Sequence, residues 1–197
     1  MTRRWRIGMG LGAALLAVAG LWAYQQQAGH DGGLPAGGPI ELPSTQGDFS
    51  LAQLDDDQLA VVVFGYTWCP DVCPMSLAVV RQVRQGMPPE WRDRVVPLMI
   101  SLDPERDTLA RLEEYLAFFG EDFIGATGSQ ERLEEIAERY GVVWRKVETP
   151  ESAMDYTIDH SASLYLVDRD GVIHRRVLHS PTPGPLEAAL DAELGEG

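Results

Sequence analysis

An α/β fold, with a central mixed sheet flanked by helices, is predicted by three features of this 197-residue chain. Ala60–Tyr66 is an unbroken apolar run rich in valine, the pattern of a strand buried on both faces. Such runs alternate with segments of helical periodicity, which favours strand–helix–strand units. Near the C-terminus, Ser163–Val167 and Val172–Val177 flank Asp168-Arg169-Asp170-Gly171, a turn sequence that joins two strands as a hairpin.

The elements are taken in chain order. Gly47–Leu51 reads as part of an opening hairpin, and Ala60–Tyr66 as the first buried strand. Residues 75–85 suit a helix, with Leu77, Val80 and Arg84 along one side. Val95–Ser101 is a second buried strand, although Pro97 would cost a central strand a ladder bond. Residues 107–119 space Leu109, Leu112, Leu116 and Phe119 helically behind Asp107 or Thr108 as N-cap. Phe123–Thr127 is a short strand. Residues 130–140 repeat the helical pattern through Leu133, Ile136, Ala137 and Tyr140, capped by Ser129. Val142–Val147 is another strand, and residues 185–193 form a closing helix. A β-α-β-α run followed by a hairpin and a last helix is a thioredoxin-like layout.

Before this domain lie two segments of different composition. Arg3, Arg4 and Arg6 precede an uncharged stretch from Ile7 to Tyr24, close to the shortest length that spans a bilayer as a helix. The basic flank predicts that the N-terminus stays in the cytoplasm and that the chain beyond the apolar stretch is exported to the periplasmic side. Trp22 and Tyr24 fit the outer aromatic belt of an uncleaved signal anchor over 1–24, while Ala17-Val18-Ala19 also suits a cleavage site. Residues 25–39, rich in Gln, Gly, Ala and Pro, read as a flexible linker, leaving 40–197 for the folded domain. The formal net charge is −14, and setting aside the three N-terminal arginines leaves −17 for the rest. A surface this acidic repels phosphate backbones and argues against nucleic-acid binding. It suits a basic protein partner or plain solubility.

The only two cysteines stand in Thr67-Trp68-Cys69-Pro70-Asp71-Val72-Cys73-Pro74, directly after the first buried strand. Two thiols at a strand-to-helix turn bind a soft metal, exchange electrons as a dithiol, or close a small disulfide loop. Outside the cytosol a lone pair most often oxidises to a disulfide. Pro74 is favoured at the first helical position, which predicts a helix starting there with Cys73 at its N-cap. At that place the helix dipole favours a thiolate. A peroxidase would need a lone nucleophilic cysteine behind Thr67, and the second cysteine speaks against it.

Four motifs in sequence order are similar to the SCO1/SenC family of copper chaperones. They are the cysteine run just quoted, Asp103-Pro104-Glu105-Arg106-Asp107-Thr108, Gly125-Ala126-Thr127-Gly128, and Asp159-His160-Ser161 leading to Tyr165-Leu166-Val167-Asp168. The resemblance implies a thioredoxin-like, usually membrane-anchored domain. It implies copper, as Cu(I) or Cu(II), held by Cys69, Cys73 and His160 and delivered to the binuclear centre of cytochrome c oxidase subunit II. Other copper carriers would be further partners. Trp68 departs from the residue many members carry before the first cysteine, and bears on partner contact or on the surroundings of the ligands. Asp159 would orient the imidazole, touch the metal or simply face solvent. His160 is expected on a loop before a buried strand. Asp103–Thr108 is read as a loop near the cysteine turn whose Asp107 or Thr108 caps a helix. His30, His174 and His179 are not expected as ligands, and Met75 and Met99 are expected to pack. The competing reading is a thiol-disulfide reductase using Cys69 and Cys73 on the oxidase subunit's cysteines. No proline falls between Pro150 and Pro181, where such enzymes carry one before the corresponding strand.

Overall fold

The computed structural model describes residues 34–149 and 154–195. The expected anchor over 1–24 and most of the expected linker lie outside the described residues. Among the described residues no helix is long and apolar enough to cross a membrane.

Among the described residues, nine strands and five α-helices are formed, with a 3-10 turn over Leu51–Gln53. The strands are β1 (Glu41–Ser44), β2 (Gly47–Ser50), β3 (Leu59–Gly65), β4 (Val95–Ser101), β5 (Ile124–Ala126), β6 (Trp144–Glu148), β7 (Tyr156–His160), β8 (Ser163–Val167) and β9 (Ile173–Leu178). The helices are α1 (Val72–Gly86), α2 (Pro89–Arg92), α3 (Leu109–Leu116), α4 (Gln130–Arg139) and α5 (Gly184–Leu194). Seven strands make one mixed sheet in the order β2-β1-β5-β4-β3-β8-β9. Strands β3, β4 and β5 run parallel, while β8 pairs antiparallel with β3 and with β9. β6 and β7 form a separate two-stranded antiparallel sheet.

Every residue of β3 is buried, because the sheet is covered on both faces. Ala60, Val62 and Phe64 face a core completed by Leu133 and Ile136 of α4 and by Tyr140 at its C-cap. Val61 and Val63 face the opposite core, which takes Leu77, Val80 and Val83 of α1, Leu112 and Leu116 of α3, and Leu186 and Leu190 of α5. Pro97 is accommodated in β4 because pairing with β5 begins only at Leu98, which leaves one side of Pro97 without a ladder to break.

Two expectations are corrected, on the start of α1 and the place of His160, and the choice left open at the α3 cap is decided. α1 starts at Val72 with Asp71 as N-cap, so Cys73 is the second helical residue and Pro74 the third. The first four helical N–H groups have no intrahelical partner, so proline is tolerated across that turn and does not mark the start alone. Thr108, whose side chain accepts from the Arg111 N–H, caps α3, and Asp107 turns inward. His160 is the last residue of β7, a strand absent from the sequence reading, and not a loop residue.

Gly37 and Gly38, read from the sequence as linker, are hydrogen-bonded to the folded domain. Gly37 N–H donates to Arg139 O and Gly38 N–H to Gly171 O, at 3.0 and 2.8 Å. Gly171, at φ +80°, turns the β8–β9 hairpin so close to Gly38 that a Cβ there would lie 2.4 Å from its carbonyl carbon. The chain thus joins the sheet at the β8–β9 turn. Because Ala60 pairs with Val167 and Val63 with Leu164, that turn lies at the Leu59 end of β3, and the cysteines come after the Gly65 end.

Candidate metal centre

β3 delivers the cysteines. It ends at Gly65, where the backbone turns out of the sheet through Tyr66 and Thr67. A Cβ at Gly65 would lie 2.7 Å from Cys73 Sγ, so glycine is what lets that sulfur pack against the strand end. Cys69 N–H donates to Tyr66 O at 3.2 Å, which folds the turn back. Cys73 is buried and Cys69 half-buried, and neither is in a disulfide.

Cys69 Sγ does the capping that the Asp71 side chain does not. The Cys73 N–H, one of the unpaired donors of the first helical turn, points at it from 3.4 Å. The sulfur therefore sits at the positive end of α1. The hydrogen bond from the Cys73 thiol, helped by His160 and the backbone N–H groups, pulls Cys69 down to about 4 against the opposing effect of burial. Cys73 is pushed upward by its bond to Cys69 and by burial. The two surroundings pull the coupled pair in opposite directions, favouring the thiolate form at Cys69 over Cys73.

His160 arrives from β7, 87 residues from Cys73 along the chain, with its Nε2 3.5 Å from Cys73 Sγ. Its Nδ1 lies 3.2 Å from the carbonyl oxygen of Ser161. A carbonyl only accepts, so Nδ1 donates to it and Nε2 is the ring atom that faces the sulfurs. Tyr66 meets the imidazole edge-on, with ring centroids 6.4 Å apart. Tyr66, Cys73, Tyr156 and Ile158 form a small apolar cluster, with Cys69 and Trp144 packed against it.

Among the described residues no three His, Cys, Asp or Glu side chains already converge in metal-holding geometry. Two thiols and an imidazole nonetheless stand at this one place, with Nε2 3.5 Å from Cys73 Sγ. By chemistry this set suits a soft ion: thiolate sulfur favours Cu(I), and an added imidazole accommodates Cu(II). Trp68 is 43% exposed beside Cys69, its ring 5.7 Å from the guanidinium carbons of both Arg106 and Arg111. Asp159 is exposed and pairs with Arg145 at 3.0 Å, and Ser161 supplies the imidazole's hydrogen-bond acceptor. His174 pairs with Asp168 and Glu193, His179 bonds Ser76, and Met99 is core.

Asp107 is the residue whose role the sequence concealed. It is fully buried, accepts from the Thr67 N–H (2.8 Å) and hydroxyl (2.6 Å), and accepts from the Ser101 hydroxyl (2.6 Å). It ties the start of the cysteine turn to the end of β4. Cap-forming Asp and Thr are adjacent at 107 and 108, and nothing local says which of them turns inward.

The fold and this cluster define an α/β protein of the thioredoxin-like class that brings a dithiol and an imidazole together at one end of its sheet. The SCO1/SenC family model matches residues 29–195, and the chain belongs to that family. An SCO2-like protein of Rickettsia conorii is 30% identical over 167 residues, which cover 83% of this chain and 81% of that protein. The mitochondrial SCO2 homologue of Bos taurus is 35% identical, with 84% of this chain matched to 64% of its length. Among solved structures, Bradyrhizobium japonicum ScoI with copper bound superposes with a TM-score of 0.69 at 36% identity, covering 80% of this chain and 99% of that one. Arabidopsis thaliana ScoI with copper bound gives a TM-score of 0.72 at 30% identity, covering 82% and 99%.

Proposed function

We propose that this protein is a copper chaperone. One copper ion, as Cu(I) or Cu(II), is its cargo, held by Cys69, Cys73 and His160. The ion is passed to the binuclear copper centre in subunit II of cytochrome c oxidase, after receipt from another copper carrier. In this reading residues 1–24 anchor the chain and the domain works on the exported, periplasmic side. The observation that carries the proposal is the approach of a distant imidazole to a free cysteine pair, Nε2 to Cys73 Sγ at 3.5 Å. Family membership and the copper-bound relatives support the choice of metal. Three ligands leave a soft ion open to capture by incoming thiolates, which is what transfer requires.

The test is copper content and affinity of the full chain purified under reducing conditions. One copper per chain is expected, with a thiolate-to-copper absorption band in the Cu(II) form. Cys69→Ser and Cys73→Ser should each abolish tight binding, and His160→Ala should lose most Cu(II) affinity and the band. Full affinity in any of the three rejects this ligand set.

A thiol-disulfide reductase is the second reading, and the depressed Cys69 thiol favours it, because the thiolate is the attacking species. A His160→Ala protein that reduces a protein disulfide at the parent rate and shows no change in copper binding would support the reductase over the chaperone.

A further inference from the structure

We propose that Arg106 is a positioning residue: its guanidinium clasps the β6–β7 hairpin to the cysteine turn and so sets where His160 stands relative to the two thiols. This rests on the copper-binding reading above. The hairpin shares no ladder with the seven-stranded sheet. A two-stranded hairpin is marginal in water, and this one joins the domain by its chain only at the Trp144 and His160 ends, so the placement of the rest depends on side chains. Tyr156 and Ile158 pack on Tyr66 and Cys73, but apolar contact is non-directional and tolerates sliding.

Arg106 supplies the direction. Its Nη1 donates to two carbonyls at the start of β7, Met154 O at 2.9 Å and Tyr156 O at 3.1 Å. Its plane covers the Tyr156 ring at 3.5 Å, and the Tyr66 and Trp68 rings lie 5.9 and 5.7 Å away. Tyr66 and Trp68 belong to the segment carrying Cys69, and Tyr156 opens the strand that ends in His160. One guanidinium therefore touches both ligand-bearing segments. Asp103, 2% exposed, holds it in place by accepting from Nε at 2.6 Å, and the same carboxylate accepts the Tyr156 hydroxyl at 2.7 Å. Lys146 closes the other side of the Tyr156 ring at 3.8 Å. Charge-assisted bonds of this kind fix geometry as well as energy, and a five-residue strand transmits the placement of Tyr156 to His160.

The test uses four full-length proteins: the parent, Arg106→Ala, His160→Ala and the double variant. Cu(II) affinity is measured by competition, and amide hydrogen exchange is followed in the metal-free state. Arg106→Ala should lower Cu(II) affinity about tenfold in the parent background, as loss of a group that orients a ligand does. It should do little once His160 is gone, because the arginine acts through it. Amides of β7 should exchange faster while those of β3 do not. No loss of affinity in the single variant, or an equal loss in both backgrounds, overturns the clasp. So does unchanged exchange in β7. The exchange arm stands even if the parent binds no copper, so failure of the clasp and failure of the chaperone reading are told apart. Should Arg106→Ala not fold, Arg106→Lys keeps the stem and charge without the fork. The same pattern is then expected at smaller size, and a lysine variant matching the parent in both readouts overturns the proposal.

Discussion

The cysteine turn and the histidine hairpin contribute to one cluster but are held by different physics. The turn grows from β3, the strand with neighbours on both sides and cores on both faces. Its thiols are set by a backbone cap, a glycine and a buried carboxylate. The hairpin carries its own two strands, exposes most of β6, and, apart from its chain connections at Trp144 and His160, meets the rest of the molecule through side chains. Half of the cluster is thus fixed with the fold, and the other half is docked onto it. Under the proposed carrier function that division is useful, since His160 on a docked hairpin can yield without disturbing the thiols.

Substitutions in the two regions should separate accordingly. The largest effect is expected from Asp107→Ala. It strands the Thr67 N–H and two hydroxyls in the interior, at a cost of about 3 kcal/mol. Urea unfolding followed by far-UV circular dichroism reads this as a lower midpoint, and a change under about 0.5 kcal/mol would remove Asp107 as the anchor of the turn. Next is Gly65→Ala, whose methyl meets Cys73 Sγ and should cost about 2 kcal/mol as an overpacked core. The melting temperature should fall and Cys73 should become open to alkylation. A parent-like melting curve would mean that the sulfur moves freely, contrary to a preset thiol. The smallest effect belongs to a control outside both regions. Burial raises Asp168, but the hydrogen bonds from His174 and from the Val172 and Asp170 N–H groups outweigh it and leave its carboxyl below the usual range. A depressed folded value stabilises the fold above the unfolded carboxyl value, about pH 4, and the benefit disappears as pH falls through the folded value. Asp168→Asn should therefore cost about 1 kcal/mol at neutral pH, converge with the parent in strong acid, and leave copper binding alone. A gap between the two proteins that stays constant with pH would contradict this sign.

What the sequence disclosed divides along the same line. A buried valine run marked β3, the apolar Leu164–Val167 marked β8, and an Asp-Gly turn marked the β8–β9 hairpin, because full burial leaves continuous apolar text. α4 was legible with its cap, since Ser129 accepts from the Arg132 N–H as the periodicity implied. β7 was hidden because it is half-exposed. Tyr156 and Ile158 alternate with Thr157 and Asp159, a short period-two signal that was present but outweighed by the charged surroundings. The cysteine pair announced itself through adjacency. Asp107 and Arg106 did not, for their partners lie 40 and about 50 residues away, and only folding brings a carboxylate or guanidinium to a particular carbonyl or hydroxyl. His160 rested on motif resemblance, and its strand, hydrogen-bond partner and facing sulfur became visible only with the fold.

The knot between Gly38 and the β8–β9 turn has a mechanical outcome. β3 is seven residues long, about 20 Å, and the thiols emerge at one pole while the polypeptide is led in at the other. Any leash attached upstream of Gly37 grips the far pole. In the proposed carrier role, the cysteine pole is then the end left open to an incoming partner.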